Sequence, residues 1–428
     1  MKIIKKEDFF VLFFSLLIFL SFVIGFILNE NSAGAGKIDG ELIWKNLQLF
    51  KESIFDSLDS SEYSDSRTPV AYILHVLLNP FIETQYQFRL SVLYISLLCP
   101  IAFYFALREK YKNTNKYLIF LISSLILLSP YFRTTAFWGL GENYAILCVL
   151  ISYILFRKGN FSNASINNKT IIILFFLSLS SSLCVYFDQK LLIIPFVVFV
   201  SIIFNRKINN KIKNLITFFY FLFATPFLYL IFLWEGILPP SALGARQVGV
   251  KFNILNIGYV STIISFYFFP FLFFQKEKFV STFLIFFKRE NLIYFILFLG
   301  YLFLLIFYSN FSDVPFQGNG VVHKFIFLAL TNINLQFICT LFFFYISWII
   351  LNIFLKNEIF DKIIIYYFLI ISFFIYPVYQ EYFDPLIIVL IFTFFQKKII
   401  INYKNIFILV LYLSTFLIIS NIYYSRIS

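Results

Sequence analysis

Two carboxylates stand close together just after the first long apolar run, in Lys37-Ile38-Asp39-Gly40-Glu41. A third, Glu142, closes the segment Tyr131-Phe132-Arg133…Gly141-Glu142-Asn143 between two later apolar runs. Cations recur at comparable places: Arg67 in Asp65-Ser66-Arg67-Thr68-Pro69, Arg89, Arg133, Lys190 beside Asp188, Arg246, and Lys324 beside His323. A carboxylate can take the proton of an attacking hydroxyl, while arginine holds phosphate through two parallel hydrogen bonds and lysine as a point charge. Together these residue types suit transfer of a group from a lipid phosphate to a hydroxyl. The phosphate departs with little protonation, so one base and several cations suffice.

Other chemistries are poorly served. The four cysteines, Cys99, Cys148, Cys184 and Cys339, lie singly in apolar runs, with no CxxC pair, zinc-ligand spacing or disulfide framework. Only two histidines, His75 and His323, occur, which excludes HExxH and His-rich metal sites. A divalent ion held by carboxylates stays open as a cofactor.

The elements that must position these residues are membrane helices. Hydrophobic types make up 61% of the 428 residues and charged types 13%, against roughly 45–50% and about 25% in a soluble domain. A surface facing water could not absorb 64 Phe and 28 Tyr. Apolar runs bounded by charge predict an all-α polytopic membrane protein with thirteen spans: 9–28, 90–107, 117–132, 138–156, 170–187, 191–205, 215–233, 254–274, 292–309, 336–355, 363–379, 385–395 and 406–424. The stretches 69–82 and 275–288 read as interfacial or re-entrant helices. No internal repeat stands out, and residues 1–428 read as one transmembrane domain.

Charge fixes the expected orientation. With Lys2, Lys5 and Lys6 in the cytoplasm, that side collects 23 Lys/Arg and 7 Asp/Glu, and the outer side 11 and 15. The net charge of +12 is therefore a topology signal, and no nucleic-acid partner is expected. The long acidic loop 29–89 falls outside, along with every candidate residue above and the C-terminus. The first apolar run is long enough to span and lacks a small-residue cleavage site. The Ile, Phe, Asn and Lys bias fits a prokaryotic plasma membrane with the site on its extracytoplasmic face.

Each candidate also has a plain structural reading. Arg89 and Lys324 could be snorkelling anchors, Arg133 and Glu142 a structural pair, and Asp188 and Lys190 a topology-fixing turn. His75 and His323 suit an interfacial position better than a catalytic one.

The order of elements resembles the GT-C glycosyltransferases, and within them the protein mannosyltransferases and lipid A aminoarabinose transferases. The features are a first span, a long outer loop opening with Asp39 and Glu41, a Pro-bearing segment around Asp65-Ser66-Arg67-Thr68-Pro69, and Arg89 at the next span. The resemblance covers about the first 200 residues and the span count. It implies a polyprenyl-phosphate-linked sugar donor, a glycan, glycolipid or protein acceptor, and inversion at the sugar. It also implies Asp39 as base, with Glu142 as the second acid and Glu41 an alternative.

Two other readings compete. An O-antigen polymerase or ligase would use a late outer loop with a histidine, here 310–324 with His323 and Lys324. A lipid-linked sugar flippase or other transporter would show inverted repeats and charges at mid-membrane. The dominant early loop favours the transferase.

Overall fold

The computed structural model describes residues 6–79, 81–163, 166–239, 253–274, 289–308, 318–355, 358–375 and 377–426. Among them every regular element is helical. Seven helices are long and apolar enough to cross a membrane: Lys6–Ile27, Gln85–Lys110, Asn168–Phe187, Asn210–Trp234, Leu255–Phe274, Ile333–Leu355 and Tyr403–Ser425. A bent pair, Lys116–Leu128 with Pro130–Trp138, makes an eighth if it counts as one span. The protein is a helical membrane protein.

Length and composition do not reach thirteen spans, and the difference lies in specific segments. The run 138–156 becomes a helix only from Glu142, and that helix carries Arg157 and Lys158 in its last turn. The runs 191–205 and 385–395 shrink to Ile193–Ile203 and Leu386–Phe392, and all seven residues of the latter are buried in protein. The run 117–132 breaks at Ser129-Pro130 with a 67° bend. Proline lacks the N–H a helix needs and drives the residue before it out of helical geometry, and Ser129 is extended at ψ 122°. The stretch 275–288 lies outside the described residues.

Contacts gather into two compact units, residues 1–247 with 413–428, and residues 248–412. The first unit opens with α1 (Lys6–Ile27) and three helices of the long loop, α2 (Gly36–Glu52), α3 (Ile54–Leu58) and α4 (Val70–Leu78). The joined pair α5 (Gln85–Ser96) and α6 (Leu98–Lys110) follows, then α7 (Lys116–Ser124) and α8 (Pro130–Trp138). Then come α9 (Glu142–Gly159), α10 (Asn168–Phe187), α11 (Ile193–Ile203) and α12 (Asn210–Leu233), and the end of the last helix, Tyr403–Ser425, joins the same unit. α9 packs between α6 and α10, α10 also against α12, and α1 against α7.

The Asn-rich loops between apolar runs set where helices begin. Asn115, Asn167 and Asn209 each accept a backbone N–H at 2.9 Å, capping α7, α10 and α12. A capping box of Thr84 and Gln87 starts α5. α8 starts on the Ser129 cap with Pro130 in its first turn and stops at Gly139, whose φ of 85° suits glycine. Within α12 the interior Pro226 interrupts the hydrogen-bond ladder. The Tyr186 hydroxyl of α10 fills the gap, donating to Phe223 O at 2.6 Å and accepting from Phe227 N at 3.0 Å. A regular helix would join those two groups directly.

The second unit is built around the helix Leu255–Phe268, of which twelve residues are buried. It packs on the helices Ile333–Leu355, Gly320–Ala329 and Ile359–Ile371. Its core joins Leu255, Tyr259, Phe298, Tyr301, Leu305 and Phe344. The Phe344 ring lies so close to Gly258 that any side chain there would collide with it.

Candidate active site

The long loop of the first unit folds back on the helix ends through its buried aromatic face. On α2, Ile43, Asn46, Leu47 and Phe50 are buried, and Phe50 stacks on Tyr72 of α4 at 5.5 Å. Trp234 Nε1 ties the loop down by donating to Leu58 O at 2.7 Å. The Tyr63–Pro69 segment then becomes rigid through side chains. Tyr63 donates to Arg67 O at 2.6 Å, Thr68 to Tyr186 O at 2.5 Å, and Gln189 to Ser66 O at 3.1 Å.

This segment delivers Asp65 and Arg67 to the start of α9. Arg67 Nη2 donates to Glu142 Oε1 in an ion pair, and Tyr131 Oη donates to the same oxygen at 2.5 Å. Asp65 accepts from Tyr72 Oη at 2.6 Å and from Arg67 N at 3.1 Å. Glu142 is 6% exposed, and its Oε2 is buried without a hydrogen-bond partner among the described residues. Burial disfavours the charged form of Arg67, but Glu142 and then Asp65 outweigh it and hold the guanidinium well above its usual range. Burial, reinforced by Asp65, likewise raises the Tyr63 and Tyr72 hydroxyls, which therefore stay protonated as donors.

A cleft opens beside the pair, lined by Ile43, Asp65, Arg67, Tyr72, His75 and Tyr144 among others. Its volume is about 20 Å³, room for a molecule the size of water. His75 Nε2 and Tyr144 Oη lie 2.7 Å apart across it, and burial pushes the imidazole down to about 4, so it is neutral at pH 7.

The expected residues divide. Arg67 and Glu142 meet. Asp39 is half-buried in the first turn of α2, one turn before Ile43 on the cleft-lining side of the helix, whereas Glu41 is exposed and two residues round the helix. Arg133 corrects the expectation that it serves as a cation for the lipid phosphate. It is 2% exposed and held by Glu30, with further bonds to Ser21 O at 2.7 Å and Leu127 O at 3.2 Å. No hydrogen-bonding direction on it is left for a donor. The structural pair read as Arg133 with Glu142 is in fact two pairs, Arg133 with Glu30 and Arg67 with Glu142.

Arg89 is likewise structural in its contacts. It donates to Phe137 O at 2.5 Å and to Asn29 Oδ1 at 2.7 Å, and stacks over Trp138 at 4.4 Å. Lys190 pairs with Asp188 at 2.7 Å, and Asp188 also caps the turn that follows α10. Arg246 lies outside the described residues.

In the second unit, His323 and Lys324 sit on Gly320–Ala329, whose first turn is held by Gln380 Oε1 accepting from Val321 N at 3.1 Å. His323 is buried between the Tyr259 and Phe327 rings, and its Nδ1 has no partner among the described residues. Burial first, then Lys324, lowers its pKa to about 4. Burial also lowers Lys324, against the opposing effect of Glu381.

Among the described residues no three His, Cys, Asp or Glu side chains are grouped to hold a metal ion. Glu30, Asp65, Tyr72 and Tyr131 were absent from the candidates. Glu30 and Arg133 could have been matched as opposite charges at equal membrane depth, since neither tolerates burial alone. Compared with protein-family models, curated proteins and solved structures, the chain matches none.

Proposed function

We propose that the protein is a GT-C-type membrane glycosyltransferase that moves a sugar from a polyprenyl-phosphate donor to a hydroxyl acceptor on the extracytoplasmic face, within a thirteen-span topology. The observation that carries this reading is the Arg67–Glu142 pair. A half-buried cation of the first loop meets the buried acid of the second loop, one of whose carboxylate oxygens is unengaged among the described residues. That is the combination such a transfer uses.

In the reaction the acceptor oxygen attacks the anomeric carbon and loses its proton to a carboxylate, for which Asp39 and Glu142 are the candidates. The bond from carbon to phosphate oxygen breaks, and the phosphate leaves with the electron pair. Arg67 offsets its charge. A cleft of about 20 Å³ admits no sugar, so donor entry requires the first loop to move away from α9.

The test is sugar transfer from a polyprenyl-phosphate-linked sugar by the reconstituted full chain. Asp39→Asn should lower turnover by about 10²–10⁴-fold while the fold is kept, and Glu142→Gln should lower turnover as far and stability too, because it removes the partner of Arg67. Full activity in both variants overturns the reading, and flipping of the lipid-linked sugar with no transfer points to a transporter. The polymerase or ligase reading is favoured by one observation, the buried His323 Nδ1 with no partner among the described residues. It predicts that His323→Ala abolishes transfer while Glu142→Gln does not.

A further inference from the structure

A second cavity lies at the far end of α9, about 26 Å along the helix from Glu142 at 1.5 Å per residue. It measures about 570 Å³, within the range of small-molecule sites. Lys112, Arg157 and Lys158 line it together with one carboxylate, Glu109. Among the described residues none of these three cations has a carboxylate within 4.0 Å. Asn160, Ser162 and Asn205 add amide and hydroxyl groups, and Asn205 Nδ2 closes one wall by donating to Ser162 Oγ at 3.2 Å.

The helix ends that line the cavity, those of α6, α9 and α11, are all C-terminal, so part of this cationic charge answers helix-end charge. Lys112, Arg157 and Lys158 are also solvent-exposed, which leaves their charged ends open to a ligand. The membrane-length helix Gln85–Lys110 ends at the wall of this cavity, through Glu109, a position that suits headgroup depth. Phe156 and Phe161 supply an apolar side to the wall.

We propose that this cavity binds a phosphate-bearing anion, with the head group of an anionic phospholipid as the source its depth favours. The site is independent of the transferase reading, because it uses none of the same residues.

The experiment uses the full chain in nanodiscs of phosphatidylcholine with or without phosphatidylglycerol, and measures phosphatidylglycerol retained on the protein by native mass spectrometry. Replacing Lys112, Arg157 and Lys158 with Gln should weaken retention on the order of 10²-fold. A control that removes three exposed lysines elsewhere, Lys169, Lys211 and Lys398, should retain the lipid as the parent does. Displacement of phosphatidylglycerol from the parent protein by inorganic phosphate identifies phosphate itself as the recognised group. Saturable protection of Arg157 from a guanidine-directed reagent by inorganic phosphate, without lipid retention, assigns the site to a free phosphate compound. Equal loss in the cavity and control variants shows general surface electrostatics and overturns the proposal. So does the absence of any phosphatidylglycerol or phosphate effect on the parent protein, which needs no variant to fold.

Discussion

Arg133 and Glu30 form a two-point ion pair, Nε to Oε1 at 2.8 Å and Nη2 to Oε2 at 2.5 Å. It clamps the end of α1 onto the buried helix α8. Gly25 of α1 lets the two side chains pass, because a Cβ there would strike both. Removing one partner of a buried pair leaves the other charge uncompensated, which costs about 3–5 kcal/mol. Arg133→Met and Glu30→Gln should each lower the unfolding midpoint in detergent, and the two losses should fall well short of additive in the double variant. Arg133→Lys should not rescue, since an ammonium cannot make the planar two-point contact. A stable Arg133→Met protein with weakened donor binding would return Arg133 to the phosphate role.

Tyr131 tests the electrostatics of Glu142 without touching its charge. Tyr131→Phe removes the 2.5 Å hydrogen bond to Glu142 Oε1 and leaves the ring packing intact. A hydrogen bond to a charged group contributes about 1.5–3 kcal/mol, so stability should fall by that order. Under the transferase reading turnover should fall too, and Tyr131→Phe with Arg67→Gln should be no worse than Arg67→Gln alone. Thermal melts and transfer assays on the four proteins of the cycle measure both effects.

The two ends of the chain bear on topology. Asn421 Nδ2 donates to Glu30 Oε1 at 3.2 Å, and the Tyr424 ring lies against Gly34. The last helix thus finishes beside the start of the first loop, as an odd number of crossings requires. Cysteines placed at Ser60 and Ser425 should be labelled by an impermeant reagent from the same face, with Lys112→Cys and Lys207→Cys labelled from the other. Labelling of Ser60 and Ser425 from opposite faces would remove the assignment of sides.

His75 predicts an acid-side loss of stability. Its imidazole takes a proton near 6.5 in the unfolded chain but only at about 4 in the fold. Between those values the unfolded state binds the extra proton, so stability is intact above pH 6.5 and declines as pH falls toward 4. The full loss is about 3 kcal/mol. His323, also lowered to about 4, acts in the same window. His75→Gln should therefore flatten part of the decline in unfolding midpoint between pH 6.5 and 4, and His75→Gln with His323→Gln most of it. An unchanged slope in both variants would show that neither imidazole is held neutral.

Much of this layout was legible because apolar length and loop charge are local properties. Helices α1, α10 and α12 lie close to the runs 9–28, 170–187 and 215–233, and α4 occupies the short stretch 69–82. Partner choice was not legible. Arg133 lies nine residues before Glu142 in sequence yet bonds to Glu30, 103 residues away, because Gly25 and the Ser129-Pro130 bend turn α8 toward α1. Arg67 reaches Glu142 across 75 residues only because Thr68 and Ser66 pin its segment on α10 and the turn after it, while Tyr63 braces the segment from within. Long-range hydrogen bonds of this kind leave no periodic trace in a sequence.

Tyr186→Phe should cost about 1–3 kcal/mol, because it orphans the Phe223 carbonyl and the Phe227 N–H in apolar surroundings. Pro226→Ala lets that N–H bond directly to the carbonyl, so the loss should shrink in the double variant. Equal losses with and without Pro226 would show that the hydroxyl does not bridge the break.

The same hydroxyl makes two spans into one unit of assembly. Among the described residues 17% of the apolar window of α12 is buried in protein, and the helix carries an open donor and acceptor beside Pro226. Lipid cannot satisfy either group, at a cost of several kcal/mol. α10 is synthesised first and brings the missing hydroxyl, so α12 completes its backbone only by docking on a helix already in place. The order of the two spans along the chain is thereby also the order in which they can become stable.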